Sequence, residues 1–166
     1  MAEEFEQVKA KFWSSGADGV RPNLTVEMVR AAEQTLGVRL PSALLDLLRI
    51  QNGGAVAAAW DAFPMAEPNS WSETHVPFDM LMGIGPHDSI LDTPYLVQEW
   101  GLPSPLVLLS GDGHCWVALD YRACGPAGEP SVTWFDTELE TEAPLAPDFR
   151  SFVEALVPAA DFATDL

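Results

Sequence analysis

Histidine, cysteine and carboxylate side chains are the groups in this chain that could carry acid–base, nucleophilic or metal chemistry, and their spacing argues against each in turn. The three histidines, His75, His87 and His114, have no second histidine or cysteine at zinc-ligand spacing. His114 and Cys115 are neighbours on an expected strand, so their side chains leave opposite faces and do not easily share a metal. Cys115 falls on the face of Val117 and Leu119, where a cysteine behaves as a small buried hydrophobe rather than a nucleophile. There is no Gly-x-Ser-x-Gly elbow and no P-loop. Gly83-Ile84-Gly85 lacks the third glycine of a dinucleotide fingerprint, and Asp112-Gly113 lacks the alternating oxygen ligands and closing glutamate of a calcium loop. The expectation is a chain with no catalytic residue, no metal and no cofactor.

The carboxylates point to recognition instead. Asp112, Asp120 and Asp136 fall at or near strand ends expected to lie close together, with Glu138 just beyond. Acid–base catalysis would need them in a cleft with separated pKa values; an acidic binding edge, or a merely solvated one, needs neither. Lys plus Arg is 8 against 25 for Asp plus Glu, a net charge of −17. Such a field repels nucleic acid and anionic membrane surfaces, and it attracts a basic protein and speeds the encounter. Of the six tryptophans, Trp116 and Trp134 lie on expected strands and belong to the core. Trp71 lies in a polar loop between Ser70 and Ser72, where an indole serves either as an exposed anchor of the kind enriched at interfaces or as a pin holding the loop to the body.

The chain that must position these groups has 166 residues and is 48% hydrophobic, enough for one domain, residues 1–166, with one core. No apolar run reaches membrane-spanning length. The start, Met1-Ala2-Glu3-Glu4-Phe5-Glu6, is acidic and lacks a secretion signal, which gives a cytoplasmic expectation. Cys115 and Cys124 are then expected as reduced thiols.

Periodicity and punctuation supply the elements. Phe5, Val8 and Phe12, with Trp13 beside them, form a helical stripe over Glu3–Trp13. Thr25 caps a second helix and Gly37 closes it in a left-handed conformation. A third helix opens at Pro41, buries Leu44, Leu45, Leu47 and Leu48, and stops at Asn52-Gly53-Gly54. The next stretch is weaker: a short strand within 55–63, a polar loop over 64–77, a strand over Phe78–Ile84, and helical turns over Ser89–Trp100 broken by Pro94. Leu106–Ser110, His114–Tyr121 and Ser131–Asp136 read as strands joined by short connections, hence an antiparallel meander. Ala146–Leu156 is a closing helix, and the tail from 158 to 166 is expected to be loose.

The run Leu24-Thr25-Val26-Glu27, Leu36-Gly37-Val38-Arg39-Leu40-Pro41 and Asn52-Gly53-Gly54 resembles the opening of the SUKH superfamily, the Smi/Knr family. Further resemblance lies in Leu106–Ser110 with Gly111-Asp112-Gly113-His114, in Trp116–Tyr121, in Glu129-Pro130-Ser131-Val132, and in Pro147-Asp148-Phe149-Arg150-Ser151-Phe152, so that it covers about residues 24–156. It implies an α+β single domain with a central, mostly antiparallel twisted sheet flanked by N-terminal and C-terminal helices. It also implies a non-enzymatic binding role: an immunity protein that masks a basic toxin domain such as a nuclease, or a regulatory scaffold that binds a host protein. A hydrolase with an unrecognised site is a third, weaker reading. Trp71, Asp112, Asp120, Asp136 and Glu138 are the residues expected to meet the partner.

Overall fold

The computed structural model describes residues 4–16, 20–86 and 89–162. Local chemistry sets the first elements. Helix α1 (Phe5–Ala10) buries Phe5 and Val8. Helix α2 (Val26–Leu36) is capped by the Thr25 hydroxyl, which accepts from the Met28 N–H, and closes on Gly37 at φ 70°. Helix α3 (Ser42–Ile50) buries Leu44, Leu45, Leu47 and Leu48. The α2–α3 joint is braced from both sides. The Glu33 carboxylate accepts from Leu40 N at 2.7 Å, and the Tyr121 hydroxyl donates to Arg39 O at 2.7 Å.

Beyond α3, two small antiparallel pairs form: β1 (Gly54–Ala55) with β4 (Met80–Leu81), and β2 (Ala62–Pro64) with β3 (His75–Pro77). The expected polar loop therefore begins and ends in a short ladder, and the strand expected over 78–84 shrinks to two residues. Asn52 explains the compactness here. Its side chain, 2% exposed, donates to Pro22 O and Ile84 O at 2.8 and 2.9 Å and accepts from Ile84 N at 2.8 Å. Gly83 is required beside it, because a Cβ there would lie 2.3 Å from Asn52 O.

Helix α4 (Thr93–Trp100) follows the 3-10 turn Ile90–Asp92. Pro94 begins this helix rather than breaking it, since the first turn leaves its N–H groups unpaired anyway. The buried Thr93 hydroxyl donates to Ile90 O and accepts from Leu108 N, tying α4 to the sheet.

That sheet is an antiparallel meander of β5 (Leu106–Gly111), β6 (Cys115–Asp120), β7 (Ser131–Asp136) and β8 (Thr141–Ala146). Its faces follow the expected alternation. Val107, Leu109, Cys115, Val117, Leu119, Val132 and Trp134 join the main core with α1, α3 and helix α5 (Phe149–Glu154). Leu106, Leu108, Trp116, Ala118 and Phe135 form a smaller core under Leu96, Val97 and Trp100 of α4. The result is an α+β fold with the sheet between helical layers. Strand β8 was not anticipated, and α5 starts three residues later than expected, capped by the Asp148 carboxylate on Ser151 N. Of the tail expected to be loose, Ala159–Phe162 form a 3-10 turn and Phe162 stacks on His75 at 4.4 Å; residues 163–166, like His87, lie outside the described residues.

Candidate functional site

The antiparallel register sorts the expected site residues. Cys115 lies opposite Asp136, and Asp120 lies opposite Ser131. Asp112, Asp136 and Glu138 therefore gather at one end of the sheet, and Asp120 sits at the other, about 17 Å away along β6 at the usual strand rise. The proximity expected of Asp120 does not occur.

Asp120 is also occupied. It is 9% exposed and accepts from the Arg122 N–H, the Arg122 guanidinium and the Thr133 hydroxyl. Burial pushes its carboxyl pKa up, but these bonds and the adjacent cation outweigh burial and hold it below the ordinary value. Arg122 also pairs with Glu142 and lies over the Phe135 ring at 5.4 Å. Arg122 thus neutralises Asp120 and reaches across the sheet face to Glu142, which lies opposite Phe135.

At the other end, Asp136 is 1% exposed and works inward. One carboxylate oxygen accepts from Ser70 N at 2.8 Å; the other accepts from the Ser70 hydroxyl at 2.8 Å and Leu139 N at 3.1 Å. Burial again raises the pKa and the hydrogen bonds more than offset it, so the net shift is downward. The single Ser70 hydroxyl proton goes to Asp136. That leaves the Cys115 thiol as the donor across the 3.3 Å gap to Ser70 Oγ. Burial pushes this thiol up to about 11, so it is protonated at neutral pH. Asp136 thus positions the loop that carries Trp71.

Asn69 completes that loop. Its carbonyl accepts from Trp71 N and Ser72 N at 2.8 and 2.9 Å, and its amide donates to His75 O. A side-chain turn of this kind is what Asn favours, so the Pro68-Asn69-Ser70 run was its signal. Trp71 remains 48% exposed, edge-on to His75 at 5.1 Å. The two alternatives expected for Trp71, an exposed anchor or a pin, are not exclusive here: the loop backbone is held by Asn69 while the ring stays half-exposed against His75.

Asp112 shapes the β5–β6 turn. Its Oδ1 accepts from His114 N and Cys115 N, both at 2.9 Å, while the residue stays exposed. Glu138 is exposed, with Oε1 3.8 Å from His114 Nδ1. Glu140, in the β7–β8 turn, holds φ 54°, a left-handed conformation uncommon for a residue with a Cβ. Trp71 and Asp112 line one recess of about 250 Å³, together with Asp79, Met80, Cys115 and Trp134. Asp79 was not singled out from sequence, because nothing local marks it.

No lysine or arginine occurs between Arg49 and Arg122, nor between Arg122 and Arg150. This end of the sheet is built entirely from those two stretches, so its carboxylates have no guanidinium or ammonium from their own segments. Among the described residues no three His, Cys, Asp or Glu side chains converge in a way that could hold a metal ion, and no helix is long and apolar enough to cross a membrane.

No curated protein matches the chain. The model of the SMI1 / KNR4 family (SUKH-1) matches residues 23–155, a span that begins just before the Thr25 cap and ends with α5. With most of its length inside that match, and with the helix–joint–helix opening and the antiparallel meander in order, the chain belongs to the SMI1 / KNR4 (SUKH-1) family.

Proposed function

We propose that this protein is a non-enzymatic immunity protein, acting in the cytoplasm, that binds a basic toxin domain and occludes its working surface. The observation that carries the reading is the acidic end of the sheet. Asp79 and Asp112 line one recess with the half-exposed Trp71, and Glu138 and Glu140 follow Asp136 in the β7–β8 turn, all in segments free of lysine and arginine. Family membership supports a protein-binding role. An aromatic anchor beside like charges gives such a surface both attachment and steering: the indole contributes area at low entropy cost, and the charges raise the rate of encounter. Asp136 and Asp120 act within the fold in this reading, the first by fixing the Trp71 loop and the second by pairing with Arg122.

The test pairs this chain with a basic toxin domain encoded beside it. The variant Glu138→Lys with Glu140→Lys leaves every hydrogen bond described above in place. It is expected to slow association at least tenfold at low salt, with a smaller effect in high salt, where the Debye length shortens. Unchanged association at low salt would remove this surface from the interface. Failure of any adjacent toxin to bind, with a host protein bound tightly instead, would favour the regulatory scaffold.

A further inference from the structure

We propose that the recess beside Trp71 is a socket for an arginine side chain presented by the partner, an inference that rests on reading this end of the sheet as a recognition surface. At about 250 Å³ the recess lies below the common range of small-ligand pockets, about 300–1,000 Å³. It suits one inserted side chain. Its walls divide into two kinds. Trp71, Met80 and Trp134 offer apolar and aromatic surface for an alkyl stem and a planar cation. Asp79 and Asp112 offer carboxylates at the rim, and neither has an ion-pair partner among the described residues. On Asp112 both backbone hydrogen bonds fall on Oδ1, which leaves Oδ2 for a guest.

A second observation is independent of the charges. The Trp134 indole forms part of the wall, is 2% exposed, and its N–H finds no acceptor among the described residues. Buried donors are rarely left so. An unpaired buried donor in the wall marks the recess as incomplete as it stands. Arginine fits better than lysine for physical reasons: the guanidinium is planar, stacks on an indole, is weakly hydrated, and forks onto carboxylates, whereas an ammonium is a compact and strongly hydrated charge. The neutral Cys115 thiol on the same wall adds no competing charge.

The experiment needs no partner protein. N-acetylarginine methylamide is titrated into the full chain while the indole N–H signals are followed by NMR, with the lysine and citrulline analogues as comparisons. The arginine compound is expected to shift the Trp71 and Trp134 signals selectively, the lysine compound to bind several-fold more weakly, and the uncharged citrulline compound to leave both signals in place. Asp79→Asn with Asp112→Asn, which keeps the Oδ1 acceptor of the turn, is expected to weaken arginine binding about tenfold. Glu27→Gln with Glu129→Gln, on α2 and just before β7 at the opposite end of the sheet, removes the same charge and should not. Equal shifts from citrulline, or equal weakening by both pairs, would overturn the socket. The two readings fail separately. If the arginine compound does not bind but Glu138→Lys with Glu140→Lys still slows the toxin, only the socket falls. If it binds and no basic protein does, the immunity reading falls and a guanidinium site stands.

Discussion

Asp136 offers the sharpest test of how this end of the molecule is held together. In Asp136→Asn the shape is kept, but whichever way the amide is turned, one of the backbone N–H groups of Ser70 and Leu139 meets an N–H₂ instead of an oxygen. A hydrogen bond to a charged acceptor is worth about 1.5–3 kcal/mol, and a buried donor left unpaired costs a similar amount. Ser70 is itself exposed, so its freed N–H can turn to water, which brings the expected loss to about 2 kcal/mol at pH 7. For a domain of this size that is a fall in Tm of about 4–8 °C. The pH dependence distinguishes this cause from a packing defect. The carboxyl pKa is lowered in the folded state, so its contribution is complete above the unfolded value of about 4 and is lost as pH falls through the lower folded value. Urea unfolding of wild type and variant should therefore differ at pH 7 and converge toward pH 2–3. Amide exchange at Ser70 should speed up in the variant at neutral pH. A gap below about 0.5 kcal/mol at pH 7, or one that persists unchanged into acid, would refute the role assigned to Asp136.

Other outcomes follow from the same geometry. Asn52→Ala removes three hydrogen bonds from a side chain that is almost fully buried and should lower stability by about 3 kcal/mol in urea unfolding; a loss under 1 would mean that Asn52 is not the tie between α3 and residues 83–84. His75, stacked on Phe162, has its pKa lowered by burial, with Asp61 opposing. Its contribution to stability is complete above about 6.5 and is lost as pH falls through that value toward the lower folded one, so wild type should lose stability between pH 7 and 5 that His75→Phe does not; parallel profiles would remove His75 from the acid response. Thiol labelling of the native protein at pH 8 should modify the exposed Cys124 and spare the buried, protonated Cys115; equal labelling would contradict the Ser70–Cys115 packing.

The elements legible in the sequence are those set by local chemistry. Thr25 and Gly37 mark the ends of α2 because a cap and a left-handed stop depend on nearest neighbours alone. The faces of β6 were legible because successive strand residues leave opposite sides of the sheet, which sorts even a continuous apolar run buried on both faces. Strand β8 was not, since Thr141-Glu142-Ala143-Pro144 has no apolar alternation and becomes a strand only through pairing with β7. The β2–β3 pair was hidden for a related reason: its strands are three residues each and are joined by the long Trp71 loop. Of the site, the acidity and Trp71 were visible. The separation of Asp120 from Asp136 was derivable but missed, because a meander with a turn after Tyr121 already places Asp120 next to Ser131. The inward roles of both aspartates depend on Arg122, Ser70 and Leu139, whose positions no local pattern encodes.

Strand β8 has a consequence for how copies of the protein meet one another. Among the described residues it pairs with β7 alone, so it is one margin of the main sheet, and such a margin is a template for the same strand of another molecule. Here Pro144 has no N–H to offer, and the Arg122–Glu142 ion pair places charged groups that an incoming strand would have to desolvate. These features are safeguards against edge-to-edge growth. Copies of the chain are thereby kept from joining along this margin, whatever the recognition surface is doing.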